Sequence, residues 1–237
     1  MRLVSYNIHK AIGLDGRRDP HRILRVLRQI DGDVVVLQEV DLRLGKRPSA
    51  LPPEMILNET DYRIVDHAGS DVSLGWHGNA VLVKRGVEAE ALDRLHLPGL
   101  EPRGAILAQC GGLIVAGTHL GLLRASRAAQ MARIREAIAA HDQSRSVVAG
   151  DFNEWSLKRG FEPWNSHFEV IRPGRSFHAR RQLARLDGFA MGPAVKVRDA
   201  GMFDKGEARI ASDHLPVWVE VEPLKLSAQT PKDVVQK

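Results

Sequence analysis

The stretch Ala105-Ile106-Leu107-Ala108-Gln109-Cys110-Gly111-Gly112-Leu113-Ile114-Val115-Ala116-Gly117 decides the fold class. Two apolar runs of strand length flank a Gly-Gly turn that is too short to contain a crossover helix, so they pair antiparallel. Upstream, Ala80–Val83 and the segment around Leu92–Leu97 are further strands, punctuated by Gly86 and by Pro98-Gly99. Arg2–Tyr6, Val34–Leu37, 62–66, Val147–Ala149, 186–191, 194–198 and Val217–Val221 extend the set. Helices are fewer. Asp19-Pro20 reads as an N-cap with proline at the first helical position, and Ile23, Leu24, Leu27 and Ile30 recur at helical spacing over 20–31. A proline-rich bend at 48–53 leads into a short helix through Leu57. Residues 124–141 give the clearest helix, with Ala128, Met131, Ile134 and Ile138 on one face and arginines on the other. The excess of strands and the short turns predict an α/β (α+β) chain of mainly antiparallel pairing, with two stacked sheets each covered by helices.

The chain has 237 residues, 43% hydrophobic and 27% charged, ordinary values for a globular domain. A domain of this size buries roughly 70–75% of its unfolded surface and needs no disulfide. The single cysteine, Cys110, lies in an apolar run and reads as core, which suits a reducing compartment. The start, Met1 to Asn7, turns polar too soon for a signal peptide, and no apolar run approaches the roughly 18 residues that span a bilayer. The expectation is a soluble, cytoplasmic protein with no transmembrane segment, its domain covering 1–223 and a polar tail covering 224–237. Nothing in the sequence points to a protein partner. The net charge of +5 suits an anionic substrate, nucleic acid included.

Polar groups fall repeatedly at strand ends. Asn7 closes the first strand and Glu39 follows the second. His119 follows Leu113–Gly117, and Asp151 and Asn153 follow Val147–Ala149. Asp187 lies in the 186–191 strand, and Asp213-His214 precede the last strand. Each alone has an ordinary explanation, such as an Asx turn at Gly150–Asn153 or a solvated strand end at Glu39. Together they form a set that loops on one edge of a scaffold can converge on a ligand. Carboxylate and amide oxygens suit a hard cation such as Mg²⁺ or Mn²⁺, and the histidines suit acid–base work.

Ser5-Tyr6-Asn7-Ile8-His9, Leu37-Gln38-Glu39-Val40, Gly78-Asn79-Ala80-Val81-Leu82, Thr118-His119-Leu120, Gly150-Asp151-Phe152-Asn153, Arg185-Leu186-Asp187 and Ser212-Asp213-His214-Leu215-Pro216 occur in that order. Singly these motifs are weak; in this order, across residues 5–216, the chain resembles the endonuclease/exonuclease/phosphatase superfamily. That group includes DNase I-like nucleases, abasic-site endonucleases, neutral sphingomyelinases and inositol-phosphate phosphatases. The resemblance implies a four-layer α/β/β/α sandwich and a Mg²⁺-dependent phosphoesterase, with Mn²⁺ as a substitute. It implies Glu39 as the principal metal ligand, with Asn7 beside it and Asp213 nearby. His214 would be the catalytic imidazole, oriented by Asp187. Asp151 would position or activate water, Asn153 would hold a non-bridging oxygen, and His119 would donate to the phosphate from the opposite side. Asn79 and Arg103 would support the anion-binding shell. Two positions depart from the pattern: Gly188 follows Asp187 where relatives often carry a bulkier or polar residue, and His9-Lys10 follow the first motif where some nucleases place an acid.

Substrate is less sharply marked. Arg172, Arg175, Arg180, Arg181 and Arg185 crowd the segment before Asp187 and suit either a solvated loop or a grip on a polyanion or lipid headgroup. Aromatics, at 5%, are too few for an extended base-stacking platform, although Trp76 beside His77 and Trp155 beside Glu154 each offer one wall. The leading expectation is a nuclease or phosphodiesterase. A phosphomonoesterase or phospholipid-headgroup hydrolase is the alternative on the same scaffold, and a non-catalytic phosphate-binding module is the third reading.

Overall fold

The computed structural model describes residues 1–42 and 45–222. The expected tail from 224 onward lies outside the described residues. The elements in order are β1 (Arg2–Asn7), α1 (Pro20–Ile30), β2 (Val34–Gln38), α2 (Pro53–Glu59), β3 (Tyr62–Val65), β4 (Ala80–Lys84), β5 (Ala89–Leu97), β6 (Arg103–Cys110), β7 (Leu113–His119) and α3 (Arg124–Ile138). They continue with β8 (Ser146–Asp151), β9 (Glu169–Ile171), β10 (Asp187–Met191), β11 (Val197–Met202), α4 (Ala208–Ala211) and β12 (Val217–Val221). Two six-stranded sheets result, ordered β11-β12-β1-β2-β4-β3 and β5-β6-β7-β8-β10-β9. Each is mixed: β1–β2 and β7–β8 pair parallel and the remaining pairs are antiparallel.

The apolar strands are buried on both faces, which is why their sequences run nearly unbroken in valine, leucine and isoleucine. In β1 and β2, Leu3, Val34 and Val36 face the second sheet and meet Ile106, Ala108, Val115, Val147 and Phe189. Their alternates Val4, Val35 and Leu37 face outward onto Ile23, Leu24, Leu27 and Ile30 of α1 and Ile56 of α2. The outer face of the second sheet, with Leu107, Ala116, Val148 and Ala190, is covered by Met131, Ile134 and Ile138 of α3 and by Trp164. Helix, sheet, sheet, helix is the four-layer order expected from the sequence. Asp19 caps α1 through Arg22 N–H at 3.0 Å, with Pro20 at the first turn.

The differences from the sequence expectations are local. Helix α3 ends at Ile138 rather than near 141, and its inner face carries Arg127 and Gln130, buried with Met131, Ile134 and Ile138. Arg127 is accepted there because the buried Glu154 carboxylate lies 2.8 Å from its guanidinium. The strand expected at 194–198 is β11, which begins at Val197 after the turn at Gly192–Val195. The three-residue edge strand β9 gave no sequence signal. It packs where Gly188 has no side chain: a Cβ at Gly188 would meet Ile171 O at 2.6 Å. Gly188 therefore admits a neighbouring strand, and the Asp187–His214 contact beside it is intact at 2.7 Å.

Candidate active site

Strand register brings three functional groups into one row. In the second sheet His119 of β7 is the partner of Asp151 of β8, and Asp151 is the partner of Asp187 of β10. The first sheet ends at the same edge. Asn7 of β1 pairs with Gln38 of β2, so Glu39 leaves the sheet beside it. Asp213 and His214 lie in the loop entering β12, which Ser212 Oγ pins by donating to Asn7 O at 2.7 Å.

Asp151 is the focus. Its Oδ2 faces Asn7 Nδ2 at 3.1 Å, His119 Nε2 at 3.3 Å and His214 Nε2 at 3.6 Å, while its Oδ1 accepts from Asn153 N–H at 3.0 Å. The other imidazole nitrogen of His214 donates to Asp187 Oδ2 at 2.7 Å, and Ser176 Oγ donates to the same oxygen at 2.5 Å. Asp151, Asp187 and His214 are all buried. They offer ligand atoms within 4.8 Å of one another and so have the composition of a metal site. Asp187 Oδ2 is engaged by His214 and Ser176, while Asp187 Oδ1 is buried without a hydrogen-bond partner. The three form a linked relay, hydrogen-bonded from Asp187 to His214 and ion-paired from His214 to Asp151.

Burial alone would push the His214 imidazole down, but the Asp187, Asp151 and Asp213 carboxylates outweigh it and raise it to about 10. Burial pushes the Asp151 carboxyl above the usual carboxylate range; the charge of His214 opposes that rise and the charge of Asp187 adds to it. The relay therefore keeps its proton on the imidazole.

Glu39 provides the second half of the site. Its carboxylate holds the Lys10 ammonium in an ion pair, and Lys10 N–H donates to Glu39 O at 3.1 Å. Asn7 Oδ1 accepts from His9 N–H at 3.0 Å and keeps a second lone pair. Asp213 Oδ1 lies 3.8 Å from His9 Nδ1. Glu39, which already holds a cation, the Asn7 amide and the Asp213 carboxylate offer oxygen donors of the kind that fits a hard divalent ion. The backbone here is strained: His9, Lys10, Ala11, Glu39, His77 and Asn153 all have left-handed φ between 46 and 58°. Such outliers concentrate where the fold must aim particular side chains. Beside His119 a cleft of about 220 Å³ opens, lined by Lys10, Glu39, His77, Glu101 and Arg103.

The sequence profile of the endonuclease/exonuclease/phosphatase family matches residues 4–214. The chain belongs to this family. Its members hydrolyse phosphate esters, and the chain is a phosphoester hydrolase on a DNase I-like scaffold. No curated protein matches the sequence significantly. Among solved structures, an endonuclease/exonuclease/phosphatase from Beutenbergia cavernae is 22% identical with TM-score 0.69, over 93% of this chain and 71% of that one. The mannosyl-6-phosphatase Bt3783 of Bacteroides thetaiotaomicron is 17% identical with TM-score 0.70, over 94% and 99%. Truncated TDP2 of Caenorhabditis elegans is 22% identical with TM-score 0.63, over 93% and 96%. At these identities the likenesses carry the fold.

Among the residues that the family motifs single out, His119, Asp151, Asp187, His214 and Asn7 meet directly. Asn153 is buried beside them, its backbone on Asp151 and its amide donating to Leu120 O at 2.8 Å. Arg103 lines the cleft, held by Glu101 at 2.7 Å. Asn79 is not brought to the cleft surface: it is fully buried and its amide nitrogen donates to Trp76 O and Gly104 O, fastening β4 to β6. Trp76 donates to Leu95 O and packs between His77 and His96, whereas Trp155 is exposed with its edge on Phe177. The arginine cluster divides. Arg172 is tied to the Glu154 and Ser156 carbonyls, while Arg175, Arg180, Arg181 and Arg185 are exposed. Two residues of the site escaped sequence reasoning: Ser176, bound to Asp187, and Phe177, whose ring lies 5.0 Å from that of His214. Neither sits in a motif, and nothing in the sequence of that loop marks them.

Proposed function

We propose that the chain is a Mg²⁺-dependent phosphodiesterase in which Glu39, with Asn7 and Asp213, holds the ion and the Asp151 relay performs the chemistry. The observation that carries this reading is the convergence of Asn7, His119 and His214 on one oxygen of Asp151. When bound, the ion neutralises phosphate charge and stabilises the leaving oxygen. Asp187 fixes the orientation of the His214 ring and keeps it cationic, so its Nε2 donates to a non-bridging phosphoryl oxygen. His119 donates from the opposite side. Asp151 holds the attacking water and takes its proton as the water oxygen bonds to phosphorus and the bond to the leaving alkoxide breaks; the alkoxide takes a proton from solvent and Asp151 returns its own there. Arg103 and Asn153 complete the anion shell, with Asn79 supporting it through the β4–β6 contact.

A comparison of bis-p-nitrophenyl phosphate with p-nitrophenyl phosphate tests the reading. A higher kcat/KM for the diester is expected, and a clear preference for the monoester would assign the chain to the phosphatases instead.

A further inference from the structure

We infer that the rim of the catalytic cleft docks on an anionic lipid bilayer, and that the phosphodiester cleaved is carried by a lipid headgroup. The second half rests on the phosphodiesterase reading above; the first does not.

Among the described residues, every large hydrophobic side chain more than half exposed lies on this rim. They are Leu100, Leu122, Leu123, Trp155, Leu157 and Leu183, with Leu100 at 87% and Leu157 at 70%. The exposed large hydrophobics elsewhere, Leu57, Val72 and Ile210, are at 43% or less. Scattered exposed leucines are ordinary, but their confinement to one edge is not.

The loops that carry them are physically joined around the site. Leu122 N–H donates to Glu101 Oε1 at 2.8 Å, which ties the β7–α3 loop to the loop holding Leu100. Arg124 reaches Glu154 at 3.2 Å, which ties it to the loop holding Trp155 and Leu157. Trp155 touches Phe177 at 5.9 Å, and Phe177 bridges both Ala184 and His214. Leu183 therefore stands on the turn that flanks the catalytic imidazole.

Charge points to the occupant. Exposed Lys158, Arg159, Arg175, Arg180, Arg181 and Arg185 are interleaved with the apolar groups. Of the acids of the same loops, Glu101 and Glu154 are engaged by Arg103 and by Arg124 and Arg127, and the exposed Glu162 accepts from Gly160 N–H. Leucine and tryptophan among lysine and arginine is the composition of an interfacial anchor: apolar groups enter the acyl boundary and the cations meet anionic headgroups. A groove for single-stranded nucleic acid would instead present stacking aromatics beside its cations, and Trp155 is the one exposed aromatic among the described residues of the rim.

Vesicle flotation of the full chain tests this. The lipids are phosphatidylcholine alone and phosphatidylcholine mixed with phosphatidylglycerol, with plasmid DNA as competitor. The protein should float with the mixed vesicles. Leu100→Ser, Leu122→Ser and Leu157→Ser combined should lower binding by about tenfold or more, since three apolar anchors are lost. Arg180→Ala with Arg181→Ala should lower binding to the mixed vesicles by about tenfold. Both variants should melt like the parent and hydrolyse soluble bis-p-nitrophenyl phosphate at its rate. Hydrolysis of that diester without flotation overturns the inference and leaves the phosphodiesterase reading standing. Flotation without hydrolysis of any diester removes the lipid-phosphodiester half and the function reading together. Binding that the leucine substitutions leave unchanged, with DNA displacing the vesicles, makes the rim a nucleic-acid surface and overturns the inference.

Discussion

Replacing Asp187 by asparagine leaves shape almost unchanged and removes one charge from the centre of the relay. Asp187 is fully buried, and its Oδ2 is shared by His214 Nδ1 and Ser176 Oγ. A hydrogen bond to a charged partner contributes about 1.5–3 kcal/mol. If that contribution is made mainly in the transition state, kcat for Asp187→Asn falls by roughly 10- to 150-fold with KM little changed. His214→Ala, the limit of the same perturbation, lowers kcat by on the order of 10²–10⁴. The pH profile supplies an independent readout. Burial lowers the His214 value and the carboxylates raise it to about 10, so losing the Asp187 charge moves the alkaline limb toward acid. Stability follows the same sign. A histidine whose folded value exceeds its ordinary 6.5 contributes fully below that pH and loses the contribution as pH climbs through about 10. The stability gap between parent and variant should therefore narrow from neutral to alkaline pH. The assays are steady-state kinetics on bis-p-nitrophenyl phosphate and urea melts across pH. A kcat within about threefold of the parent, with both pH profiles unmoved, would refute the relay.

Three further outcomes follow from local geometry. Gly188→Ala should cost about 1–3 kcal/mol in urea unfolding, because its Cβ would meet Ile171 O at 2.6 Å and force β9 away. Arg127→Met strips a guanidinium from the buried Glu154 and should cost about 3 kcal/mol in the same assay, with Arg124 and the Ser156 N–H as remaining partners. Lys10→Met removes the ammonium that Glu39 holds, so Mn²⁺ affinity measured by calorimetry should tighten about fivefold, the equivalent of roughly 1 kcal/mol for such an ion pair.

Much of this architecture was legible because both faces of the strands are buried. Unbroken apolar runs such as Val34–Leu37 and Val147–Ala149 have no other stable use at that length, and the Gly111-Gly112 turn fixed the sense of pairing. Asn7, His119 and Asp151 end such runs and His214 precedes one, so their candidacy was legible, while their joint role came from the order of the family motifs. Groups fixed only by tertiary contact were hidden. Arg127 reads as the polar face of α3 until Glu154 is placed under it. Ser176 and Phe177 lie in a loop whose path is set by contacts with Ala184 and His214, not by local pattern. Asn79 matched a motif, yet its amide serves backbone carbonyls. Edge strand β9 is held by the space that Gly188 leaves, which periodicity cannot show. The exposure of the rim leucines was equally invisible, since Leu122 and Leu120 are alike in sequence while one is exposed and the other buried.

In the proposed mechanism Glu39, Asn7 and Asp213 hold a divalent ion that the Asp151 relay needs for phosphoester hydrolysis. The most direct test is the rate of bis-p-nitrophenyl phosphate hydrolysis by dialysed protein as Mg²⁺ is titrated, for the parent and for Glu39→Gln. No turnover in EDTA, saturable recovery with Mg²⁺ for the parent and a much weaker Mg²⁺ response for Glu39→Gln are expected. Full activity in EDTA, or a Glu39→Gln titration that overlays the parent, would contradict the mechanism.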